Sequence, residues 1–405
     1  MRICHVTDAF YPRIGGVERM VSGLAKAQLE MGCEVRVITR AEPGSAAREV
    51  VKGVGIHRVP FAARPTPLAY RSTVAGVRRA LIEMCGSDFV PEVVHTHLTL
   101  TGTGAMQAAT AKGLPLVATF YGPWDKEFKT ESEPLRKRGA LYGLYLDWLA
   151  GKQRGMQSAL LRAASERIVL SSHSLIEMRE RFGALDAERI PGGVDLGRFR
   201  PHDAKTARKK LGWPEQGIML VSLRRLVRRM GLGDLIRSVG MLAGEGLDLH
   251  LAVAGEGPLE DELRRLAGEL GLGDRVLFMG GVADELVPLA LSAADLFVLP
   301  SIAEEHFGLV ILESIACGTP VVGTPVGAIP ETLGGFSRDL TAGGTGPEAL
   351  ASAIGRALTG LDELSALCRG DWRRRLEGEH SWKAIAARTA EVYERSRPQQ
   401  AGASG

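Results

Sequence analysis

Two carboxylates, Glu305 and Glu313, stand eight positions apart in the run from Ser301 to Val322, and the residues around them decide what such a pair can do. Leu296 to Pro300 is a short apolar run that suits a buried strand. Leu309, Ile311, Leu312, Ile315 and Ala316 recur at helical spacing, and Gly318 closes the helix. The spacing predicts a helix that begins near Phe307, with Glu305 at its mouth. The first amides of a helix have no acceptor within it, and the helix dipole is positive at that end. The N–H groups from Phe307 through Gly308, Leu309 and Val310 therefore form an anion site. Glu313 would lie roughly 9 Å along the helix, at about 1.5 Å per residue. That layout fits a diphosphate flanked by hydroxyl groups, with Glu305 toward one set and Glu313 toward the other. Two glutamates at this spacing alone would describe a solvated helix face; the apolar and glycine residues between them argue for a site.

Other segments place phosphate chemistry beside strand ends. Arg224 to Gly231 follows a strand and precedes a helix, and arginine's planar fork donates to phosphate in pairs. Its guanidinium groups can therefore reach a ligand in the crevice. Gly255-Glu256-Gly257-Pro258 also leaves a strand, and Gly255 permits close backbone approach to a ligand. Near the N-terminus, Gly15 and Gly16 open a helix after a strand, which brings N–H groups to a phosphate. His95 and His97 share one face of a strand end by period two, but no third metal ligand accompanies them in the sequence. No Asp-x-Asp occurs, so no metal is expected.

These segments sit in a chain of alternating strand and helix patterns. Strands are expected at Ile3 to Val6, Val35 to Thr39, Ile56 to Val59, Val93 to His97, Leu116 to Phe120 and Arg167 to Leu170, and a second set at Ile218 to Leu223, Leu249 to Ala254, Val276 to Phe278, Leu296 to Leu299 and Val321 to Gly323. Helices fall between them, including one long stretch from Leu135 to Ala164 that would cover the sheet, line an acceptor site or rest on a membrane surface. The fold class is α/β, two doubly wound Rossmann-like domains facing a central cleft. The expected division is 1–188, a linker at 189–210, 211–378, a C-terminal helix at 379–398 and a disordered tail at 399–405.

Composition narrows the function. At 405 residues with 45% hydrophobic content the chain can fill two cores. A net charge of +3 leaves no nucleic-acid footprint. The five cysteines are scattered, and no signal-like or membrane-spanning run is present, so a reduced, cytoplasmic protein is expected, with peripheral membrane attachment as an alternative. Oligomeric state is not legible.

The Glu305 to Val322 run resembles the retaining glycosyltransferases of family 4, whose signature is Glu, seven residues, Glu, with Phe-Gly inside and a small-Cys-Gly-Thr-Pro-Val-Val tail. The resemblance extends over nearly the whole chain and implies the GT-B fold, with the last helix packing on the first domain. It implies a nucleoside-diphosphate sugar as donor, a hydroxyl-bearing acceptor, no cofactor beyond that donor and no metal. By the same resemblance Glu305 and Phe307-Gly308 hold the transferred sugar, Glu313 the ribose and Val282 the base, while Arg225 and the amides at Gly308, Leu309 and Val310 take the diphosphate. His97 falls on the acceptor side. Two positions depart from the family pattern: Met230 stands where a lysine is expected, leaving Arg229 or Arg228 as second cation, and Tyr121 stands where a histidine touches the sugar. The expected activity is retaining hexosyl transfer, UDP-sugar before GDP-sugar, with Glu305 and Arg225 as the catalytic pair. The alternative is a weakened nucleotide-sugar-binding partner subunit. An oxidoreductase lacks its three-glycine fingerprint here.

Overall fold

The computed structural model describes residues 1–12, 15–60 and 66–397. Arg13 and Ile14 of the glycine loop, and the tail at 399–405, lie outside the described residues. The chain divides into two units, Met1–Pro191 together with the segment that begins at Trp382, and Gly192–Ser381.

The first unit is built on eight strands, β1 (Arg2–Val6), β2 (Glu34–Arg40), β3 (Arg48–Val51), β4 (Val54–Val59), β5 (Val93–Thr96), β6 (Leu116–Phe120), β7 (Glu166–Val169) and β8 (Glu188–Arg189), in the order β3-β4-β2-β1-β5-β6-β7-β8. All pairs are parallel except β3 with β4, a hairpin closed by Lys52-Gly53. The sequence reading has no β3, because this edge strand alternates half-buried with exposed residues and carries no apolar run. The central strands are buried on both faces, as parallel sheets require. Cys4, Val6, Val94 and Phe120 meet Leu81, Leu160 and Met178 on one face. On the other, Ile3, Val93 and Val117 meet Ile385, Val392 and Tyr393 of the C-terminal helix Trp382–Ser396. Each such fully buried aliphatic side chain contributes about 1.5–3 kcal/mol. Ala386 of that helix also packs on Leu24 and Ala27 of the helix Gly16–Glu30.

The long helix expected from Leu135 to Ala164 is interrupted. Gly139, at φ 129°, separates a tight turn, Glu133–Arg138, from the helix Ala140–Ala163.

The second unit holds five parallel strands, β9 (Ile218–Leu223), β10 (Leu249–Ala254), β11 (Val276–Gly280), β12 (Leu296–Leu299) and β13 (Val321–Gly323), in the order β11-β10-β9-β12-β13. The polar run up to Lys210, read from sequence as linker, contains the helix Ala204–Leu211. It is capped by Asp203 and tied down by the buried Arg208, whose Nη2 pairs with Asp295 at 2.5 Å and whose Nε donates to the Ala293 carbonyl at 2.9 Å. No helix among the described residues is long and apolar enough to cross a membrane.

Candidate functional site

The second unit's sheet changes direction between β9 and β12: β10 and β11 lie on one side of this pair and β13 on the other. Loops leaving neighbouring strands at such a point diverge and open a crevice beyond the strand carboxyl ends. Arg224 leaves β9 there, and Ser301 to Glu305 leave β12.

The Arg224 N–H continues the sheet ladder by donating to the Ala254 carbonyl at 2.8 Å. Its Nη2 donates to Glu305 Oε2 at 2.6 Å and reaches Ser301 Oγ at 2.9 Å, and Ser301 Oγ donates to the same carboxylate oxygen at 3.2 Å. Both partners of this ion pair are largely buried. Burial alone would raise the Glu305 carboxyl, but the Arg224 guanidinium, with help from Arg229 and the Ser301 hydroxyl, outweighs it and holds Glu305 below the usual carboxylate range. Glu305 is thus an anion near neutral pH, and among the described residues its Oε1 makes no hydrogen bond, which leaves that oxygen to accept from a ligand hydroxyl.

The surrounding loops fix this carboxylate. Glu304 sits at φ 54°, uncommon for a residue with a side chain, and its carbonyl accepts from Arg229 Nη1 at 3.2 Å. The Glu305 carbonyl accepts from the Ala328 N–H at 2.8 Å. Gly327, at φ 57°, lies against it so closely that a Cβ would stand 2.0 Å from that carbonyl oxygen. Gly255, at φ 143°, plays the same part for Arg224, where a Cβ would meet the carbonyl oxygen at 1.9 Å. The close approach expected at Gly255 is therefore made to Arg224's backbone.

The helix begins at Leu309, two residues later than the spacing suggests, because Gly308 takes the left-handed conformation as its cap, φ 81°. Its first amides, at Leu309 and Val310, have no acceptor inside the helix. Glu313 is buried, about 6 Å along from Leu309. Phe307 is buried too, and its carbonyl accepts from Thr332 Oγ1 at 3.0 Å. Val282 is half-buried in the loop after β11.

Arg225 is exposed, and the guanidinium that meets Glu305 is that of Arg224. β9 is buried on both faces from Met219 to Ser222, so its burial pattern does not distinguish the two arginines; Arg224 and Arg225 simply leave the strand on opposite sides. Met230 is buried, and its sulfur accepts from Arg224 Nε at 3.2 Å and Nη2 at 2.7 Å. The residue in the family's lysine position thus buttresses the arginine.

In the first unit, Gly15 caps the helix Gly16–Glu30, and a Cβ there would stand 2.5 Å from Glu18 Oε2. The helix's own acid folds back over its N-terminus, where the sequence reading puts a phosphate.

His97 and Tyr121 belong to a buried chain that sequence alone does not connect. The β1–β5 register sets His5 opposite His95. His5 is neutral, its pKa lowered to about 4 by burial, and His95 and His97 are held well below their ordinary value for the same reason. A neutral imidazole has one donor and one acceptor, so the chain runs in one direction. Tyr121 donates to His97 Nδ1 (3.0 Å), His97 Nε2 to His5 Nδ1 (2.9 Å) and His5 Nε2 to Gln28 Oε1 (2.7 Å). Gln28 Nε2 donates to the Tyr393 oxygen (3.2 Å), Tyr393 to His95 Nδ1 (2.7 Å) and His95 Nε2 to Thr119 Oγ1 (2.7 Å). The Tyr121 hydroxyl is pushed up by burial and then by Glu18, so it stays protonated. His5 is the third histidine absent from the sequence reading, and the ligand atoms of His5, His95 and His97 lie within 4.8 Å of one another. All six ring nitrogens already have hydrogen-bond partners, so a metal bound there would have to displace this network.

The chain's similarity to known proteins agrees with this geometry. A family model described as glycosyl transferases group 1 matches residues 203–367, and one described as glycosyltransferase family 4 matches residues 14–198. A D-inositol 3-phosphate glycosyltransferase of Pseudarthrobacter chlorophenolicus is 30% identical over 339 residues, 79% of this chain and 76% of that one. A GDP-mannose-dependent alpha-(1-6)-phosphatidylinositol dimannoside mannosyltransferase of Mycobacterium tuberculosis is 29% identical over 391 residues, 96% and 94%. Among solved structures, a sucrose-phosphate synthase from Thermosynechococcus elongatus superposes with a TM-score of 0.77 at 23% identity, covering 97% of this chain and 98% of that one. The chain belongs to the family 4 glycosyltransferases and has their GT-B fold. Its class of reaction is sugar transfer from a nucleotide sugar.

Proposed function

We propose that the protein is a retaining hexosyltransferase that takes a UDP-sugar by preference, or a GDP-sugar next, and delivers it to an acceptor hydroxyl on a small natural product, a polysaccharide or a lipid. The observation that carries this reading is the Arg224–Glu305 pair at the switch point of the second unit's sheet, beside the N-terminus of the helix Leu309–Ala316. A buried carboxylate kept ionised by one arginine, with one oxygen left over, is suited to accept from sugar hydroxyls. The cations of Arg224 and Arg229 and the amides of Gly308, Leu309 and Val310 are suited to the charge that builds on a departing diphosphate.

In this reading the leaving phosphate oxygen takes the acceptor's proton while the sugar passes through an oxocarbenium-like state on the same face. The protein supplies orientation and charge stabilisation, and no strong base is needed. Glu313 serves the ribose and the backbone near Val282 the base. Arg225, exposed, is left with a role at the outer diphosphate oxygens. Tyr121, whose O–H is spent on His97, offers lone pairs to a sugar hydroxyl, and His97 holds it there on the acceptor side. No metal bridge is invoked, since no Asp-x-Asp occurs in the sequence.

The test is nucleoside diphosphate release from UDP-, GDP-, ADP- and dTDP-sugars, with and without EDTA, followed by the anomeric configuration of the product by NMR. Metal-independent release and an unchanged configuration support the reading. Donor binding without turnover, whatever acceptor is supplied, would instead mean a nucleotide-sugar-binding partner subunit.

A further inference from the structure

The helix Ala140–Ala163 has two faces of different character. Leu146, Leu149, Leu160 and Leu161 are buried in the first unit. On the other side Leu141, Leu144 and Trp148 are exposed to 84%, 66% and 47%. Their spacing of three and four residues makes one ridge, and Leu135 in the turn before Gly139 is exposed as well. A single exposed leucine needs no explanation, but a contiguous apolar ridge does.

Charge surrounds the ridge asymmetrically. From Glu131 to Arg154 the chain carries Arg136, Lys137, Arg138, Lys152 and Arg154 against Glu131, Glu133 and Asp147. Arg136 neutralises Asp147 through Nη2 at 2.5 Å and Nη1 at 3.2 Å. It also pairs with Glu133 at 3.2 Å, which leaves Lys137, Arg138 and Lys152 as the cations beside the ridge. The aromatic residues are backed by cations: Arg138 lies over Tyr142 at 5.7 Å, Lys152 over Trp148 at 5.5 Å, and Tyr145 stacks on Trp148 at 6.2 Å. Leucines with a tryptophan along the crest and lysines and arginines at the flanks are the composition of a helix lying in a lipid interface, apolar side in the acyl boundary and cations at the phosphates.

We infer that this face, Leu135 to Lys152, docks on an anionic lipid bilayer. The complementarity is both apolar and electrostatic, and it does not rest on any assignment at the donor site. Apolar insertion supplies affinity, and Lys137, Arg138 and Lys152 supply the preference for anionic headgroups.

The test is flotation of the full chain with phosphatidylcholine vesicles made with and without phosphatidylglycerol. Binding is expected to the anionic vesicles, weakening toward 1 M salt, where the screening length falls to about 3 Å. Leu144→Asp and Trp148→Ala should each lower lipid affinity about tenfold or more, with thermal unfolding of Leu144→Asp unchanged because that side chain is exposed. Lys137→Glu, Arg138→Glu and Lys152→Glu together should abolish the preference for phosphatidylglycerol. Absence of binding to either vesicle would overturn the inference, and so would equal flotation of wild type and Leu144→Asp. Self-association in solution that Leu144→Asp abolishes, without lipid binding, would assign the ridge to a second copy of the chain and also overturn it.

Discussion

Arg224 and Glu305, 81 positions apart in the chain, meet at 2.6 Å where β9 and β12 end side by side. The pair is nearly closed to water, so its two charges depend on each other. Removing the cation strands a carboxylate in a dry site, which costs more than the pair itself is worth.

Arg224→Ala should therefore destabilise the second unit by about 3–5 kcal/mol and raise the Glu305 carboxyl, with turnover lost. Arg225→Ala changes an exposed side chain and should stay within about 0.5 kcal/mol of wild type. Urea unfolding of the two variants side by side decides between Arg224 and Arg225 as the structural partner.

Met230→Lys would bring a second cation against Arg224 and remove the sulfur that accepts from it. Because Met230 is buried, the substitution is expected to lower stability by on the order of 2 kcal/mol. A rise in melting temperature would show that the site prefers the family's lysine even without a ligand.

Gly327→Ala forces a Cβ against the Glu305 carbonyl at a backbone conformation that side chains resist. Turnover is expected to fall about tenfold or more by displacement of Glu305, while far-UV circular dichroism is retained. Wild-type turnover in this variant would mean that the position of Glu305 is not critical.

The acid limit of stability should belong to the histidine chain. Folded His5 titrates near pH 4 rather than at its ordinary 6.5, so the unfolded chain binds the extra proton between those values. Stability is full above pH 6.5 and falls as the pH drops through about 4, by about 3 kcal/mol from His5 alone at 1.4 kcal/mol per unit. Glu305, lowered in the folded state, loses its contribution only below the ordinary 4.5. Denaturant midpoints should thus drop between pH 6.5 and pH 5, before Glu305 titrates. A flat profile across that interval would contradict the buried neutral histidines.

Much of this was legible in the sequence. Buried parallel strands are apolar runs with turn residues at their ends, so β1, β6, β9 and β12 could be read directly, and the run around Glu305 announced a helix mouth. What escaped reading depends on contacts between distant elements. His5, Gln28 and Tyr393 are unremarkable in their own helices and strands and acquire meaning only through the β1–β5 register and the packing of the C-terminal helix. Arg208 reads as one charge among several until Asp295 is beside it. Arg224 and Arg225 are adjacent and leave a strand buried on both faces, so only the approach of Glu305 from the loop after β12 tells them apart.

Everything proposed for the donor site depends on Glu305 acting as an ionised carboxylate toward the nucleotide sugar. The most direct measurement is nucleoside diphosphate release by wild type and Glu305→Gln on the preferred donor in EDTA, with donor binding followed by calorimetry. Release by wild type is expected, with a fall of about a hundredfold or more in the variant, which remains folded by circular dichroism. Undiminished release by Glu305→Gln would contradict that role.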